Sequence, residues 1–351
     1  MTINISKPQA LHAGDKVAAV SLSWGGPGAL PARYRAGVRQ LEEAFGVQVV
    51  EMPHTLAEPD WLRAHPQARA EDLMQAFSDP QIRAIFSTIG GDDSIRCLPF
   101  IDLDVIRNHP KIFMGYSDST VTHFACLKAG LGSFYGPAIM SDFGENGGLF
   151  PYMVASVRKT LFESQPVGKL RPNLDGWTNE LLDWGDPGNQ TIPRERQPCT
   201  GWNFLQGKGL HNGRLIGGCL EVLDWLRGTH VWPEAEVWDE AILFIETSEE
   251  APAPLAVERM LRLLATLGVL KRIRGLLVGR PGGQVPPRRF AEYDQAILNI
   301  VVKEEGLTDI PIVTAMDFGH TEPVLVLPYG AQTRINCDQQ TIEIIENAVS
   351  D

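Results

Sequence analysis

A serine stands where a short apolar run gives way to a helical pattern. Residues 112–114 read Ile-Phe-Met, which is typical of a buried strand, and from Asp118 onward the apolar residues recur at helical spacing. Ser117 lies between the two, within Gly-Tyr-Ser-Asp-Ser. A serine on a tight strand-to-helix turn has the geometry of a nucleophile elbow, which exposes the hydroxyl above a helix N-terminus. Serine also caps ordinary helices, so a catalytic serine must have partners elsewhere in the chain.

A serine nucleophile needs a base and usually a carboxylate that orients the base. Of the eight histidines, His320 alone follows a buried strand through a tight Asp-Phe-Gly turn, which predicts a position at the mouth of a sheet. Glu246 directly follows the apolar run Leu-Phe-Ile, where a surface glutamate is unexpected, whereas its rivals Glu249 and Glu250 fall in the next loop. We therefore predict a triad of Ser117, Glu246 and His320.

The oxyanion formed when a serine attacks a carbonyl needs backbone N–H donors. We predict that the N–H of Asp118, the residue after the serine, is one donor. The second is predicted to be the N–H of Gly91 or Gly90, at a neighbouring strand end. A further glycine pair, Gly217 and Gly218, ends a later strand. Glycines at such a position indicate close approach of another backbone or a ligand, so both, together with Gly90, are predicted to lie near the substrate.

The elements that must position these residues alternate between strands and helices. This order predicts an α/β protein whose N-terminal domain, residues 1–164, contains a doubly wound parallel sheet of the Rossmann or amidotransferase-like kind. Active sites in such sheets lie beyond the carboxyl ends of the strands. Residues 206–351 are predicted to form a C-terminal α/β domain with a mixed sheet, which carries Glu246 and His320.

Residues 165–205 lose this periodicity and are rich in Pro, Asn, Asp, Trp and Gly. We interpret them as a connector that also forms a substrate loop. The connector contains Trp177, Trp184 and Trp202, and a tryptophan ring on a loop stacks well on a flat ligand. The alternative for each of them is to fill the seam between the domains.

The bulk composition excludes several classes of protein. A net charge of −12 argues against a nucleic-acid partner, and no apolar run is long enough to span a membrane. The five cysteines are odd in number and contain no Cys-x-x-Cys pair, which fits a reduced, cytoplasmic protein without a zinc motif. The first residues lack the pattern of a signal peptide. The predicted chemistry needs neither a metal nor a cofactor.

Several segments together resemble the LD-carboxypeptidase family of serine peptidases, peptidase family S66. The resemblance covers essentially the whole chain and implies a Ser-Glu-His triad at Ser117, Glu246 and His320, with an oxyanion hole at Asp118 and Gly91. It also implies a two-domain homodimer with the site in the cleft between the domains. The segments that carry it are Ile-Gly-Gly at 89–91, Met-Gly-Tyr-Ser-Asp-Ser-Thr at 114–120, Phe-Tyr-Gly-Pro at 134–137, Leu-Ile-Gly-Gly at 215–218, Ile-Glu at 245–246 and Phe-Gly-His at 318–320.

Within that family the chain looks closer to the microcin C immunity type, MccF, because of Ile-Gly-Gly-Asp-Asp-Ser at 89–94 and the long tryptophan-bearing connector. The resemblance implies hydrolysis of the amide between an aspartyl group and a modified adenylate, with Trp184 as the candidate for stacking on the base. The alternative within the family is a murein tetrapeptide LD-carboxypeptidase that releases D-alanine. One departure is Cys219, where the family often has Asn, and it puts in doubt any substrate contact expected from that side chain.

Two functions outside the family fit the sequence less well. An α/β-hydrolase esterase shares the Ser…Glu…His order, but the nucleophile strand comes early in this chain and no His-Gly-Gly-Gly run is present. A non-catalytic nucleotide-binding module could use Gly90 and Gly91 to bind an anion, but it would leave the matched serine, glutamate and histidine unexplained.

Overall fold

Two sheets organise the computed structural model, which describes residues 5–351; the first four residues of the predicted N-terminal domain lie outside this range. The strands of the first half are β1 (Lys16–Val20), β2 (Gln48–Glu51), β3 (Ile82–Ser87), β4 (Ile112–Gly115), β5 (Phe134–Tyr135) and β6 (Pro166–Leu170). Its α-helices are α1 (Gly26–Ala29), α2 (Pro31–Phe45), α3 (Pro59–Ala64), α4 (Pro66–Ser78), α5 (Leu103–Asn108), α6 (Thr120–Ala129) and α7 (Pro151–Val157).

The second half contains more strands than helices. Its strands are β7 (Asn203–Gln206), β8 (Leu210–Cys219), β9 (Ile242–Glu246), β10 (Gly275–Gly279), β11 (Ile312–Met316), β12 (Leu327–Pro328), β13 (Gln332–Asn336) and β14 (Thr341–Asn347). Its α-helices are α8 (Leu220–Leu226), α9 (Pro254–Thr266) and α10 (Phe290–Leu298).

The first sheet has the strand order β12-β5-β4-β3-β1-β2, and every neighbouring pair except β12–β5 is parallel. The chain order of its parallel strands reverses between β1 and β3, which is the switch point where ligands bind in doubly wound sheets. Strand β4 is buried at every position, as expected for a parallel strand covered on both faces.

The second sheet has the order β6-β14-β13-β8-β9-β10-β11-β7. Strands β8 to β11 are parallel, and the strands on either side of them are antiparallel. The predicted α/β class, with a parallel-rich sheet followed by a mixed sheet, is therefore confirmed. Strand β9 is buried along its whole length, which places Glu246 at the end of a core strand.

Two short strands cross the domain limits predicted from the sequence. Pro166–Leu170 belongs to the predicted connector, yet it forms an edge strand of the second sheet beside β14. Leu327–Pro328 belongs to the second half, yet it extends the first sheet by pairing antiparallel with β5. Ser350 also pairs with the other end of the chain, because its N–H donates to the Pro8 carbonyl at 2.8 Å. The two halves are thus interleaved.

Helix α6, which follows the predicted nucleophile, is buried on nearly all sides because it packs against β5 of the first sheet and β8 and α8 of the second half. It ends at Gly130, whose φ of 82° supplies a left-handed C-cap. The first turn of this helix, which closely follows Ser117, is therefore held in place by packing against both sheets. Among the helices that the structure describes, none is long and apolar enough to cross a membrane.

Candidate active site

Ser117 lies on the turn between β4 and α6 with a φ of 60°, a left-handed conformation that non-glycine residues rarely adopt. Strain of this kind is retained mainly at functional sites, where the surrounding structure enforces it. The surroundings are close: a Cβ added to Gly90 would lie 3.0 Å from the Ser117 Cβ. Thr120 fixes the turn from the other side by donating its hydroxyl to the Ser117 carbonyl at 2.7 Å.

The structure brings the three predicted triad residues together. His320 Nε2 lies 3.0 Å from Ser117 Oγ, and His320 Nδ1 lies 2.7 Å from Glu246 Oε2. Glu246 is 1% exposed at the end of β9. Gly319, the residue before the histidine, lies so close to Glu246 that an added Cβ would be 2.7 Å from the Glu246 Cβ. The absence of a side chain at this position lets His320 reach the carboxylate.

Tyr135 joins this group, and the sequence reasoning assigned it no role. Its hydroxyl accepts the Ser117 N–H at 3.0 Å and donates to Glu246 Oε1 at 2.5 Å. Burial, together with the nearby carboxylate, raises the pKa of Tyr135 well above its usual 10, so the phenol stays a neutral donor. The only sequence signal was its place in the Phe-Tyr-Gly-Pro segment.

Two carboxylates set the protonation of His320. Burial would lower the pKa of His320, but attraction to Glu246 and hydrogen bonds to Glu246 and Glu249 raise this pKa well above 6.5. The Glu249 carboxylate lies 2.9 Å from His320 Nε2, and this hydrogen bond lowers the pKa of Glu249 to about 2. Glu249 is therefore a second acidic partner of His320, not an alternative to Glu246.

The predicted oxyanion donors flank the serine. Asp118 is fully buried and its side chain points away, accepting the Ser94 N–H at 2.8 Å, while its own N–H lies in the first turn after the nucleophile. Gly90 and Gly91 line the same cavity as Ser117. Gly91 has a φ of 145° and packs so closely against Ser23 that a side chain could not be accommodated.

A cavity of about 410 Å³ opens above Ser117 and His320. Trp184 lines it, and the guanidinium of Arg33 lies 4.4 Å from the centre of the Trp184 ring, a cation–π contact that orients the indole. The other connector tryptophans lie elsewhere. Trp177 is 3% exposed and packs beside Phe290, and Trp202 donates its ring N–H to a buried aspartate.

Gly217 and Gly218 are not among the residues that line this cavity, and the contacts that the structure gives them are packing contacts; the substrate contact stays a prediction. Gly217 lies against the backbone of Phe244 in the neighbouring strand, and a Cβ at Gly218 would lie 2.5 Å from Thr120 Cγ2. Cys219 is buried beside them, with its thiol 3.5 Å from Glu221 Oε2, and it does not reach the cavity either. Close packing of β8 against β9 and α6 explains this glycine pair.

No group of three or more His, Cys, Asp or Glu residues within 5–351 is arranged to hold a metal ion. The site itself offers a serine hydroxyl, an imidazole paired with carboxylates, and backbone N–H groups beside a cavity. Such a set can carry out nucleophilic acyl transfer.

Two family models and two curated proteins illustrate what this chain is similar to over most of its length. Models of the LD-carboxypeptidase N-terminal and C-terminal domains match residues 17–136 and 212–335. The microcin C7 self-immunity protein MccF of Escherichia coli is 32% identical over 289 residues, which is 80% of this chain and 79% of MccF. A Bacillus subtilis protein named "Probable murein peptide carboxypeptidase" is 28% identical, with 98% of this chain and 96% of that protein covered.

Solved structures agree with the fold. An MccF-like protein from Streptococcus pneumoniae in complex with AMP superposes with a TM-score of 0.85 at 32% identity, covering 95% of this chain and 99% of that one. The structure of MccF in complex with aspartyl sulfamoyl adenosine superposes with a TM-score of 0.81 at 29% identity, covering 98% of this chain and 100% of that one.

Proposed function

Because this chain belongs to the LD-carboxypeptidase family, we propose that it hydrolyses an amide with Ser117, Glu246 and His320 as a catalytic triad. Membership of the family makes the protein a serine-type carboxypeptidase or amide hydrolase. The proposed substrate is an aminoacyl group, such as aspartyl, joined by an amide to a modified adenylate, as in processed microcin C. Removal of the aminoacyl group would detoxify such a compound.

In the proposed mechanism, neutral His320 takes the hydroxyl proton from Ser117 as the serine oxygen attacks the amide carbonyl. Glu246 stabilises the imidazolium that forms. His320 then gives its proton to the leaving nitrogen, the C–N bond breaks, and an ester remains on the serine. Water, deprotonated by the same imidazole, hydrolyses this ester and releases the acid.

The negative charge that develops on the carbonyl oxygen needs the two backbone donors beside the serine. We assign them to the N–H groups of Asp118 and Gly91, because both flank Ser117 and neither needs a side chain in the cavity. Donors of this kind contribute roughly 3 kcal/mol each to acyl-transfer transition states. The dipole of helix α6 adds a smaller effect, on the order of 0.3–1 kcal/mol.

The observation that carries the adenylate proposal is the shared cavity of Trp184 and Ser117. An indole held in place by Arg33 offers a flat apolar face to a nucleobase bound next to the reacting serine. The nucleotide complexes of MccF and of the Streptococcus pneumoniae protein support the same class of ligand. The second candidate is a muropeptide, which the similarity to the Bacillus subtilis relative favours.

Hydrolysis followed by mass spectrometry separates these candidates. Wild-type protein is incubated with aspartyl sulfamoyl adenosine in one reaction and with a murein tetrapeptide in another. We expect cleavage of the adenosine compound, and release of D-alanine alone would replace this proposal with a cell-wall function. Ser117→Ala should abolish cleavage, whereas Ser119→Ala, which changes another buried serine in the same turn, should retain most of it.

We propose in addition that the protein is a homodimer and acts in the cytoplasm, as the resemblance and the cysteine content led us to predict. One chain has a mass of 38.7 kDa. Light scattering at micromolar concentration should therefore give twice this mass. Fractionation of cells that express the protein tests the compartment.

A further inference from the structure

The carboxylate of Glu249 contacts the ring nitrogen that the proposed mechanism uses as its base. His320 Nε2 lies 2.9 Å from Glu249 Oε2 and 3.0 Å from Ser117 Oγ. A neutral imidazole presents a lone pair at this nitrogen, and a lone pair repels a carboxylate. The arrangement therefore corresponds to an imidazolium that donates Nε2–H to Glu249, a form that cannot accept the serine proton.

Glu249 can leave this position without disturbing the fold. Its side chain is 66% exposed, in contrast to the fully buried carboxylate of Glu246 on the other ring nitrogen. Its backbone is fixed, because Gly283 packs directly against the Glu249 carbonyl and the preceding Ser248 N–H donates to Glu221 at 2.9 Å. The carboxylate is therefore an exposed group on an anchored backbone.

The charges around the cavity favour a cationic partner for Glu249. Among the described residues that line it, Arg194 is the single lysine or arginine, and its charge is already matched by Glu322 at 3.1 Å and by buried Glu145. The third lining carboxylate, Glu180, accepts a backbone N–H. No lysine or arginine among the described residues of the cavity wall is therefore left to bind Glu249, and an ammonium group on a ligand is its natural partner.

We propose that Glu249 selects substrates that carry an ammonium group on the acyl side of the scissile amide, and that this ammonium draws Glu249 away from His320. The proposal rests on the amide hydrolysis proposed above. Once Glu249 binds the ligand, the Nε2–H proton passes to solvent water and leaves a neutral imidazole beside Ser117. The remaining groups against the imidazole are Glu246, which stays bound to Nδ1, and the neutral Tyr116, whose ring centre lies 5.0 Å from the centre of the imidazole ring.

Two matched pairs of sulfamoyl adenosine substrates test this selection. Alanyl and propionyl compounds differ only in an α-ammonium, and 6-aminohexanoyl and hexanoyl compounds differ only in a terminal ammonium. We expect kcat/KM of the wild-type protein to be at least tenfold higher for the amino member of one pair, and that pair identifies which ammonium is bound. Equal hydrolysis within both pairs overturns the selection while leaving amide hydrolysis intact, and no Ser117-dependent hydrolysis of any compound overturns both.

Glu249→Gln keeps the size of the side chain and removes its charge. In this variant the advantage of the amino substrate should disappear, and the acidic limb of the kcat/KM profile should move to lower pH, because the imidazolium loses one acceptor. Glu250→Gln removes the charge of the exposed neighbour and should change neither result. A persisting substrate preference, or an unshifted pH profile in Glu249→Gln, contradicts the proposal.

Discussion

At the scale of single residues, Tyr135 links the nucleophile to the acid of the proposed triad. Its hydroxyl bonds to the Ser117 N–H and to Glu246 at once, so it supports both the strained turn and the carboxylate. Tyr135→Phe removes both hydrogen bonds and leaves a buried charge with one partner fewer. We expect a loss of about 1–3 kcal/mol in the free energy of unfolding and a fall in kcat of roughly tenfold or more.

Tyr329→Phe is the matched control for this variant. Tyr329 is equally buried and its hydroxyl also bonds within the core, to the Gly217 carbonyl, but it does not contact the triad. Urea unfolding and steady-state kinetics are measured for both variants. If Tyr329→Phe lowers kcat as much as Tyr135→Phe does, the effect of Tyr135 is general destabilisation and not alignment of the triad.

Trp184 permits a prediction that separates binding from chemistry. Stacking of a base on an aromatic ring contributes about 1–3 kcal/mol, and Trp184 lies on the cavity wall rather than at the reacting atoms. Trp184→Ala should therefore raise KM for aspartyl sulfamoyl adenosine roughly tenfold or more while changing kcat little. Leu181→Ala, which shortens an exposed apolar residue on the same cavity wall, serves as the control. Unchanged KM in Trp184→Ala would remove the tryptophan from nucleotide binding.

The sequence could locate residues that end strands, because the ends of parallel strands meet at one edge of a sheet. Ser117, Glu246 and His320 were found in this way, and the structure places them within hydrogen-bond distance of one another. Tyr135 could not be found, since its contacts depend on how one sheet packs against the other. The close packing of Gly217 against Phe244 could not be told from a substrate contact, because a glycine needed for packing looks the same in sequence as a glycine beside a ligand.

At the scale of elements, His123 fastens helix α6 to the first sheet. Its Nε2 lies 2.9 Å from the Gly115 carbonyl at the end of β4, and its Nδ1 lies 2.8 Å from Ser133 Oγ next to β5. Complete burial lowers the pKa of His123 to about 3, so the folded protein keeps this histidine neutral. The helix beneath Ser117 is therefore held by a group that only the unfolded chain protonates at mildly acidic pH.

This difference predicts a loss of stability on acidification. The pKa of histidine in the unfolded chain is about 6.5. The contribution of neutral His123 to the free energy of unfolding is therefore complete above that pH and is lost as the pH falls below it. The loss is about 1.4 kcal/mol per pH unit, or about 2 kcal/mol between pH 6.5 and 5. Urea unfolding of wild type and His123→Gln at both pH values isolates the effect. An identical pH dependence in the two proteins would show that His123 titrates normally.

Arg194 holds the loop that carries Trp184. Its guanidinium bonds to Glu145 in the first half, to Glu322 in the second half and to the Glu180 carbonyl within the loop itself. Arg194→Gln leaves two largely buried carboxylates without their cation, which should cost about 3–5 kcal/mol of unfolding free energy. Limited proteolysis should then cleave within 179–195 before the rest of the chain. A loop that resists the protease in this variant would show that other contacts suffice to hold it.

Element prediction from sequence succeeded where burial is continuous and was incomplete where strands are short. Strand β4 and strand β9 have uninterrupted apolar runs, because covered parallel strands bury both faces. Pro166–Leu170 has one fully buried residue, and Leu327–Pro328 is only two residues long, so neither has a pattern that assigns it to a sheet. Their partners come from distant parts of the chain, which local periodicity does not report.

At the scale of the whole molecule, the proposed active site is shared between two interleaved halves. Ser117 follows a strand of the first sheet, whereas Glu246 ends one strand of the second sheet and His320 follows another. The halves are joined further by the pairing of β12 with β5 and by the hydrogen bonds between Ser350 and residues near the N-terminus. Neither sheet keeps all its strands if the other half unfolds.

This arrangement predicts that the protein unfolds in one cooperative transition, although its length would allow two independent domains. Hydrogen exchange followed by mass spectrometry through a urea titration reports on peptides from β3 and from β10 separately. We expect both sets to lose protection at the same midpoint, because losing either sheet removes strands and triad contacts from the other. Two separate midpoints would mean that the contacts between the halves contribute little to the free energy of unfolding. The proposed triad would then be aligned only while two weakly coupled domains are in contact.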